Sequence, residues 1–293
     1  MQQTLYLLDG HALVYKYFYS YASAPLTNSQ GIDTGATFGV ACTIVKILKH
    51  YPCTHIAVIF DPPGGSFRKD IYPEYKAKRK HIDIKSQLYY THKLIKAWGI
   101  YTTAFEKLEA DDAVASIAKT AEKEGFNVFI LTRDKDYAQL VSESVKLVDI
   151  GDLFGEGNAT IVGPKEVEEK WGVKPSQMIE YQILVGDSSD NIPGIKGIGP
   201  EQASKLLKEY GSITKIYENL ESLTKTQKAK FQAAVGSLEG LRTLVTLRLD
   251  MLLSGGLEGL KKPENVSDEF IQMLDFLEFK HVKNQLNLNE LSI

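Results

Sequence analysis

Short apolar runs punctuate the first half of the chain. They are Leu5-Tyr6-Leu7-Leu8, Ile56-Ala57-Val58-Ile59-Phe60, Val128-Phe129-Ile130-Leu131 and Val145-Lys146-Leu147-Val148. Runs that are apolar on both faces predict strands buried on both faces of a parallel sheet. Ile100 to Phe105 predicts a further short strand. Between these runs the apolar period lengthens. Ala36 to His50 and Ser86 to Trp98 read as helices, the second closed by Gly99, and another helix runs from Asp112 to about Glu124 before Gly125. This alternation predicts an α/β unit, with a mostly parallel central sheet and helices on both faces, over residues 1–163. Gly151 to Asn158 reads as a surface turn.

From Pro164 the pattern is helical, which sets a second region at residues 164–293. Pro164 to Trp171 and Pro175 to Val185 each start with proline, as does a helix at Pro200 with Ala203, Leu206, Leu207 and Tyr210 on one side. Leu257 to Val266 reads as a linker. Phe270 to Leu286 is amphipathic and is expected to pack back on the body.

The polar residues at the ends of the apolar runs change this picture. Asp9, Asp61, Asp134 and Asp136 all follow predicted strands, and Glu109-Ala110-Asp111-Asp112 opens a helix. Acids in a first turn suit the helix dipole, and Asp134 and Asp136 also suit capping. Adjacent carboxylates repel unless a cation sits between them, and carboxyl ends of parallel strands are where open α/β sheets bind ligands. Asp187 and Asp190 add one more pair. An all-oxygen set of this kind suits a hard cation such as Mg²⁺ or Mn²⁺.

Charge and composition sharpen the class. The 293 residues are 43% hydrophobic, 24% charged and net −3, with no apolar run of membrane-spanning length. A cytoplasmic protein with no membrane partner is expected, since Cys42 and Cys53 show no metal spacing. The charge is unevenly spread. From Arg68 to Lys85 there are seven Lys or Arg residues against three acids, interleaved with Tyr72 and Tyr75. An acidic pocket with a basic rim points to metals meeting phosphates. Tyr15 and Lys16 lie near the Asp9 strand end, where they can face a base and a phosphate. Gly194 to Gly199, just before the Pro200 helix, forms a helix-hairpin-helix pattern (about 186–212) whose backbone N–H groups suit duplex phosphates.

Together these motifs resemble the 5′-nuclease (flap endonuclease) family, in the form joined to bacterial DNA polymerase I. The residues that carry the resemblance are Leu8-Asp9-Gly10-His11, Phe60-Asp61, Phe67-Arg68, Tyr75-Lys76-Ala77-Lys78-Arg79, Glu109-Ala110-Asp111-Asp112, Asp134-Lys135-Asp136 and Gly186 to Gly199. The resemblance implies a PIN-like nuclease core, a helical arch at about 68–90 and a helix-hairpin-helix (H3TH) region. It implies a monomeric, two-metal 5′-3′ exonuclease and flap endonuclease, acting on DNA with 5′ flaps, nicks or gaps, and on RNA–DNA primer strands, near the nucleoid.

By motif, Asp9, Asp61, Glu109, Asp111 and Asp112 match one metal site, and Asp134, Asp136, Asp187 and Asp190 the second. Lys76, Arg79 and Lys16 match catalytic basic positions. Tyr15, Arg68, Tyr75, Gly194, Lys196, Gly197 and Gly199 match DNA contacts, with K⁺ as a further ion at the hairpin. The family carries arginine where this chain has Lys16. Lysine keeps the charge and loses the planar fork, which loosens phosphate positioning unless a nearby arginine compensates. The end at Ile293 leaves no room for proofreading or polymerase domains, so a freestanding nuclease and an excised domain both fit. A non-catalytic flap-binding protein and a related metal-dependent RNase or phosphatase are the competing readings.

Overall fold

A computed structural model describes residues 2–62, 64–79, 82–105, 107–149, 160–253 and 255–288. The apolar runs become β1 (Thr4–Asp9), β2 (His55–Ile59), β3 (Tyr101–Thr103), β4 (Asn127–Leu131) and β5 (Val145–Val148), with a short β6 (Ile161–Val162). Their order in the sheet is β3-β2-β1-β4-β5-β6. All pairs are parallel except β5 with β6.

Strand periodicity splits the core in two. Leu5 and Leu7 point to one face and Tyr6 and Leu8 to the other, and all four are buried. The first face is covered by α5 (Ala110–Lys123), and the same apolar cluster runs on through α7 (Met178–Val185) and α8 (Pro200–Tyr210). The second is covered by α1 (Gly10–Tyr21), α2 (Gly35–His50), α4 (Lys85–Ala97) and α12 (Asp268–Phe276). Helix α1 lies close on α2 because position 39 is glycine. A Cβ there would sit 2.2 Å from the Tyr17 ring.

The order of the sheet decides where the site falls. β1 is flanked by β2 on one side and β4 on the other, so the chain direction across the sheet reverses between β1 and β4. A crevice opens at such a point, beyond the carboxyl ends of the strands. Asp9 ends β1, and Asp134 follows β4.

Three readings of the chain are corrected. The span 257–266 is not a linker. Leu257 and Leu260 are buried in a 3₁₀ turn, Lys261 bridges to His55, and the Lys262 N–H donates to the Thr54 carbonyl at 3.0 Å. No alternation announced β6, nor the antiparallel pair β7 (Gly186–Asp187) and β8 (Ile192–Pro193), because two-residue strands carry no period. In its described residues, the expected helical arch at about 68–90 forms α3 (Phe67–Ile71), turns to Arg79 and the start of α4 at Lys85, rather than one helical span. The expected turn at 151–158 lies outside the described residues. Among the described residues, no helix is long and apolar enough to cross a membrane.

Candidate metal and nucleic-acid site

Each acidic side chain is aimed by the element that carries it. Asp9 caps α1 and accepts the Ala12 N–H at 2.9 Å. Asp61, just beyond β2, accepts the Ala110 N–H at 2.8 Å and so ties the β2 end to the start of α5. Asp111 lies in the first turn of α5 and accepts the Tyr137 hydroxyl at 2.6 Å. Asp134 caps the 3₁₀ turn after β4 and accepts the Asp136 N–H at 2.9 Å. These four acids line one cleft of about 710 Å³, together with Tyr15, Lys16, Lys76 and Arg79.

The cleft is electrostatically strained. Burial, and then the neighbouring Asp61 charge, push Asp9 up to about 7. Burial also raises Asp111 well above the carboxylate range, with Asp134 and Asp9 adding to it. Asp134 is raised by burial, against the opposing hydrogen bond from Asp136. A group of acids that hold their protons this tightly is a site short of positive charge.

Beside it, Asp136, Asp187 and Asp190 each present an oxygen within 4.8 Å of the others. Asp136 is pushed up to about 8 by burial and the Asp134 charge, and it accepts from the Gln182 amide. Asp187 behaves differently. Burial would raise it, but hydrogen bonds from Lys135, at 2.5 Å, and Ser189 leave it below its ordinary value. Every donor in the two groups is a carboxylate oxygen, which fits hard divalent cations.

The basic segment closes over these acids. Lys76 sits at φ +56°, and its N–H is fastened to the Asp190 carbonyl at 2.9 Å. Its ammonium reaches Glu109 at 2.6 Å and lies 3.8 Å from Asp190. Burial would lower the Lys76 pKa, but Glu109, Asp111 and Asp190 together raise it. Arg79 donates to the Asp190 carboxylate.

Four assignments made from sequence change here. Asp112 is fully buried and does not reach the cleft. Both its oxygens are held by the Arg68 guanidinium, at 2.7 and 2.8 Å, and the Arg248 N–H adds a third bond. Arg68 is only 2% exposed, so it is the counter-ion of Asp112 and Glu109 and not a DNA contact. Tyr75 is equally buried, and its hydroxyl bridges Glu109 at 2.9 Å and Asp190 at 3.0 Å. Arg68, Lys76 and Arg79 of the basic segment are therefore folded down onto acids, where basic residues of a helical arch free for DNA were expected. Sequence reasoning also passed over Tyr137, Lys135 and Gln182, which orient Asp111, Asp187 and Asp136. Lys135, between two acids, was the one with a visible signal.

The glycine hairpin is built as a close approach. A Cβ at Gly194 would lie 2.5 Å from the Gly186 nitrogen, so the backbone of the β7 end packs directly on it. Gly197 has φ +83°, and its carbonyl accepts the Lys230 ammonium at 2.7 Å. Gly199 caps α8 without a side chain, and Lys196 is exposed beside it.

The fold and site define an α/β protein with an acidic crevice at its sheet reversal, followed by a helical region that presents a glycine hairpin. Its relatives place it further. Residues 4–172 match the 5′-3′ exonuclease N-terminal resolvase-like domain, and residues 173–267 match the 5′-3′ exonuclease C-terminal SAM fold. The chain belongs to the 5′-3′ exonuclease family. DNA polymerase I of Caldicellulosiruptor bescii is 35% identical over 98% of this chain and 34% of its own length. The thermostable DNA polymerase I of Thermus thermophilus is 35% identical over 94% of this chain and 32% of its own. The chain thus spans about a third of the length of these curated relatives. The T5 5′-exonuclease, in a structure with bound divalent zinc ions, superposes with a TM-score of 0.68 at 21% identity, over 93% of this chain and 99% of that one. Flap endonuclease-1 from Methanococcus jannaschii superposes with a TM-score of 0.60 at 16% identity, over 98% and 91%. Both share the fold.

Proposed function

We propose that this chain is a structure-specific 5′ nuclease that hydrolyses DNA phosphodiesters at 5′ flaps, nicks and gaps, in the removal of primer strands and in repair. The observation that carries the reading is the cleft in which Asp9, Asp61, Asp111 and Asp134 meet Lys76 and Arg79. A DNA phosphate is the substrate group that needs both signs of charge in one place.

Asp9, Asp61, Asp111 and Asp134 would hold one divalent ion and Asp136, Asp187 and Asp190 a second; Asp134, matched by motif to the second group, is regrouped with the first because it lines the same cleft, and Glu109, matched to the first, lies against Arg68, Lys76 and Tyr75. Two Mg²⁺ or Mn²⁺ ions, if held by these residues, would supply Lewis-acid chemistry: a more acidic bound water and compensation of phosphate charge. Lys76 and Arg79 add fixed positive charge at that phosphate. Tyr137, Lys135 and Gln182 hold the carboxylates in place. Tyr15 and Lys16, on the α1 wall, meet a base and a phosphate of the cut strand.

The chain divides at about residue 163 into an α/β unit that carries most of the acids and a helical unit, 164–293, that adds Asp187 and Asp190 to the site and grips the duplex. In the second unit Gly194, Lys196, Gly197 and Gly199 position backbone phosphates, with K⁺ as a further partner of the hairpin carbonyls. A monomer acting on chromosomal DNA in the bacterial cytoplasm satisfies this arrangement.

The test is one labelled flap substrate incubated with Mg²⁺, with EDTA, and with an Asp134→Asn variant. Release of the labelled 5′ end should require the ion and collapse in the variant. Cleavage that persists in EDTA, or an unimpaired variant, defeats the metal-nuclease reading.

A further inference from the structure

Arg133 stands just past β4, one residue before Asp134, and its side chain is 63% exposed on the wall of the acidic cleft. The sheet puts it there. Leu131 of β4 pairs with Val148 of β5, and the Thr132 N–H donates to the Val148 carbonyl at 3.1 Å. Asp149, the residue after β5, therefore comes level with the step from Thr132 to Arg133. Thr132 turns inward and is buried, and Arg133 turns outward. The Asp149 carboxylate accepts the Arg133 Nε–H at 2.6 Å. Asp149 is not one of the residues that line the cleft. One edge of the guanidinium is thus anchored from outside the cleft. The anchor limits the rotamers of a long side chain, so less freedom is lost when the other edge meets an anion.

The other cations of the cleft are placed differently. Lys76 is bound to Glu109, and Arg79 to Asp190. Lys16 lies back along its own helix, with its ammonium 3.3 Å from the Tyr17 hydroxyl and 4.6 Å from the centre of that ring. Of the two arginines that line the cleft, Arg133 is the one whose acidic partner belongs to neither carboxylate group. A phosphate drawn to that wall therefore meets a guanidinium without displacing it from a metal-holding acid. The guanidinium presents its donors as a rigid fork that matches two phosphate oxygens, which an ammonium cannot do.

We propose that Arg133 positions the cut strand, its guanidinium taking two oxygens of a phosphate next to the scissile one. It then supplies, from the β4 end of the cleft, the planar fork that the α1 wall lacks at Lys16. This rests on the 5′-nuclease reading above.

The experiment measures affinity for one flapped duplex in Ca²⁺, which suppresses turnover, over a series of salt concentrations. Arg133→Ala should weaken binding about tenfold or more, the scale of one charged bidentate contact. It should also lower the slope of log affinity against log salt by about one, the mark of a lost phosphate contact. Arg133→Lys should keep the slope but not the full affinity, since it keeps the charge and loses the fork. Lys16→Arg/Arg133→Ala should regain most of what Arg133→Ala loses. Asp149→Ala leaves the guanidinium in the cleft and should cost about threefold or less, with the slope unmoved. Arg133 is exposed, so the fold should survive, and melting curves check this. The proposal is overturned if Arg133→Ala leaves affinity and slope as they were. It is equally overturned if Arg133→Ala and Asp149→Ala lose the same amount at an unchanged slope, which is the behaviour of a merely structural ion pair. Failure of Lys16→Arg to rescue overturns the link between the two walls. Wild-type cleavage in Mg²⁺ is scored in parallel. Its absence removes the nuclease reading itself, whereas normal cleavage with an unmoved slope in Arg133→Ala removes only the role of Arg133.

Discussion

The burial of individual charges decides what each acid can do. Asp112 and Arg68 form a nearly water-free pair, with further bonds from Arg68 to the Leu244 and Thr246 carbonyls. Truncating Arg68 to Ala leaves a buried uncompensated carboxylate, so it should cost about 3–5 kcal/mol, read by denaturant unfolding. A loss below about 1 kcal/mol would mean that water reaches Asp112. The cleft acids show the opposite sign. Asp9 and Asp136 hold protons up to about 7 and about 8 in the fold, against about 4 for an unfolded aspartate. The folded state binds more protons over that window. With EDTA present, stability should therefore fall as pH rises from about 4 through about 8. Mg²⁺ should flatten or reverse that slope, since binding it replaces the protons. Melting curves at about pH 5 and about pH 8, with and without Mg²⁺, check the sign. These acids were legible in the sequence because each follows an apolar run or opens a helix. Asp112, Arg68 and Tyr75 were misassigned because a charge or hydroxyl next to a motif does not reveal which way it faces.

At the scale of elements, β1 to β5 and the longer helices could be read from the apolar pattern, and the parallel order from their alternation. The turn holding Lys76 could not. It depends on φ +56° at a non-glycine residue and on bonds to a segment more than a hundred residues away. The Asn191 amide donates to the Glu74 carbonyl at 2.8 Å and completes the clasp. Such contacts leave no periodic trace. The α1–α2 contact is the most demanding packing on the second face, because Gly39 lies directly against Tyr17. Gly39→Ala should overpack it and cost about 1–3 kcal/mol. It should also shift α1, which carries Tyr15 and Lys16 on the cleft wall, so substrate affinity should weaken with stability. A Gly39→Ala protein that melts like the wild type would show that α1 and α2 can part freely.

For the whole molecule, the proposed nuclease reading divides the handling of DNA between two places. Lys76 is bound into the acidic cleft through Glu109 and Asp190, whereas the hairpin belongs to the helical half, with Lys230 behind it. Phosphate contacts of the hairpin kind fix register and affinity. Charge at the reacting phosphate lowers the barrier instead. Lys76→Ala should therefore reduce single-turnover cleavage by roughly a hundredfold or more, the scale of losing one contact to developing charge, while duplex affinity changes little. Gly197→Val should do the reverse. It places a branched side chain at φ +83°, where its Cβ would come within 3.0 Å of Lys230, and so distorts the hairpin. Cleavage should then drop at limiting enzyme and recover in large part at saturation. The two variants are compared in flap cleavage at saturating and limiting enzyme, with binding measured separately in Ca²⁺. If Lys76→Ala cleaves normally once saturated, the lysine serves binding alone. The clasp between Glu109, Lys76 and Asp190 would then be a structural lock on the basic segment rather than part of the chemistry.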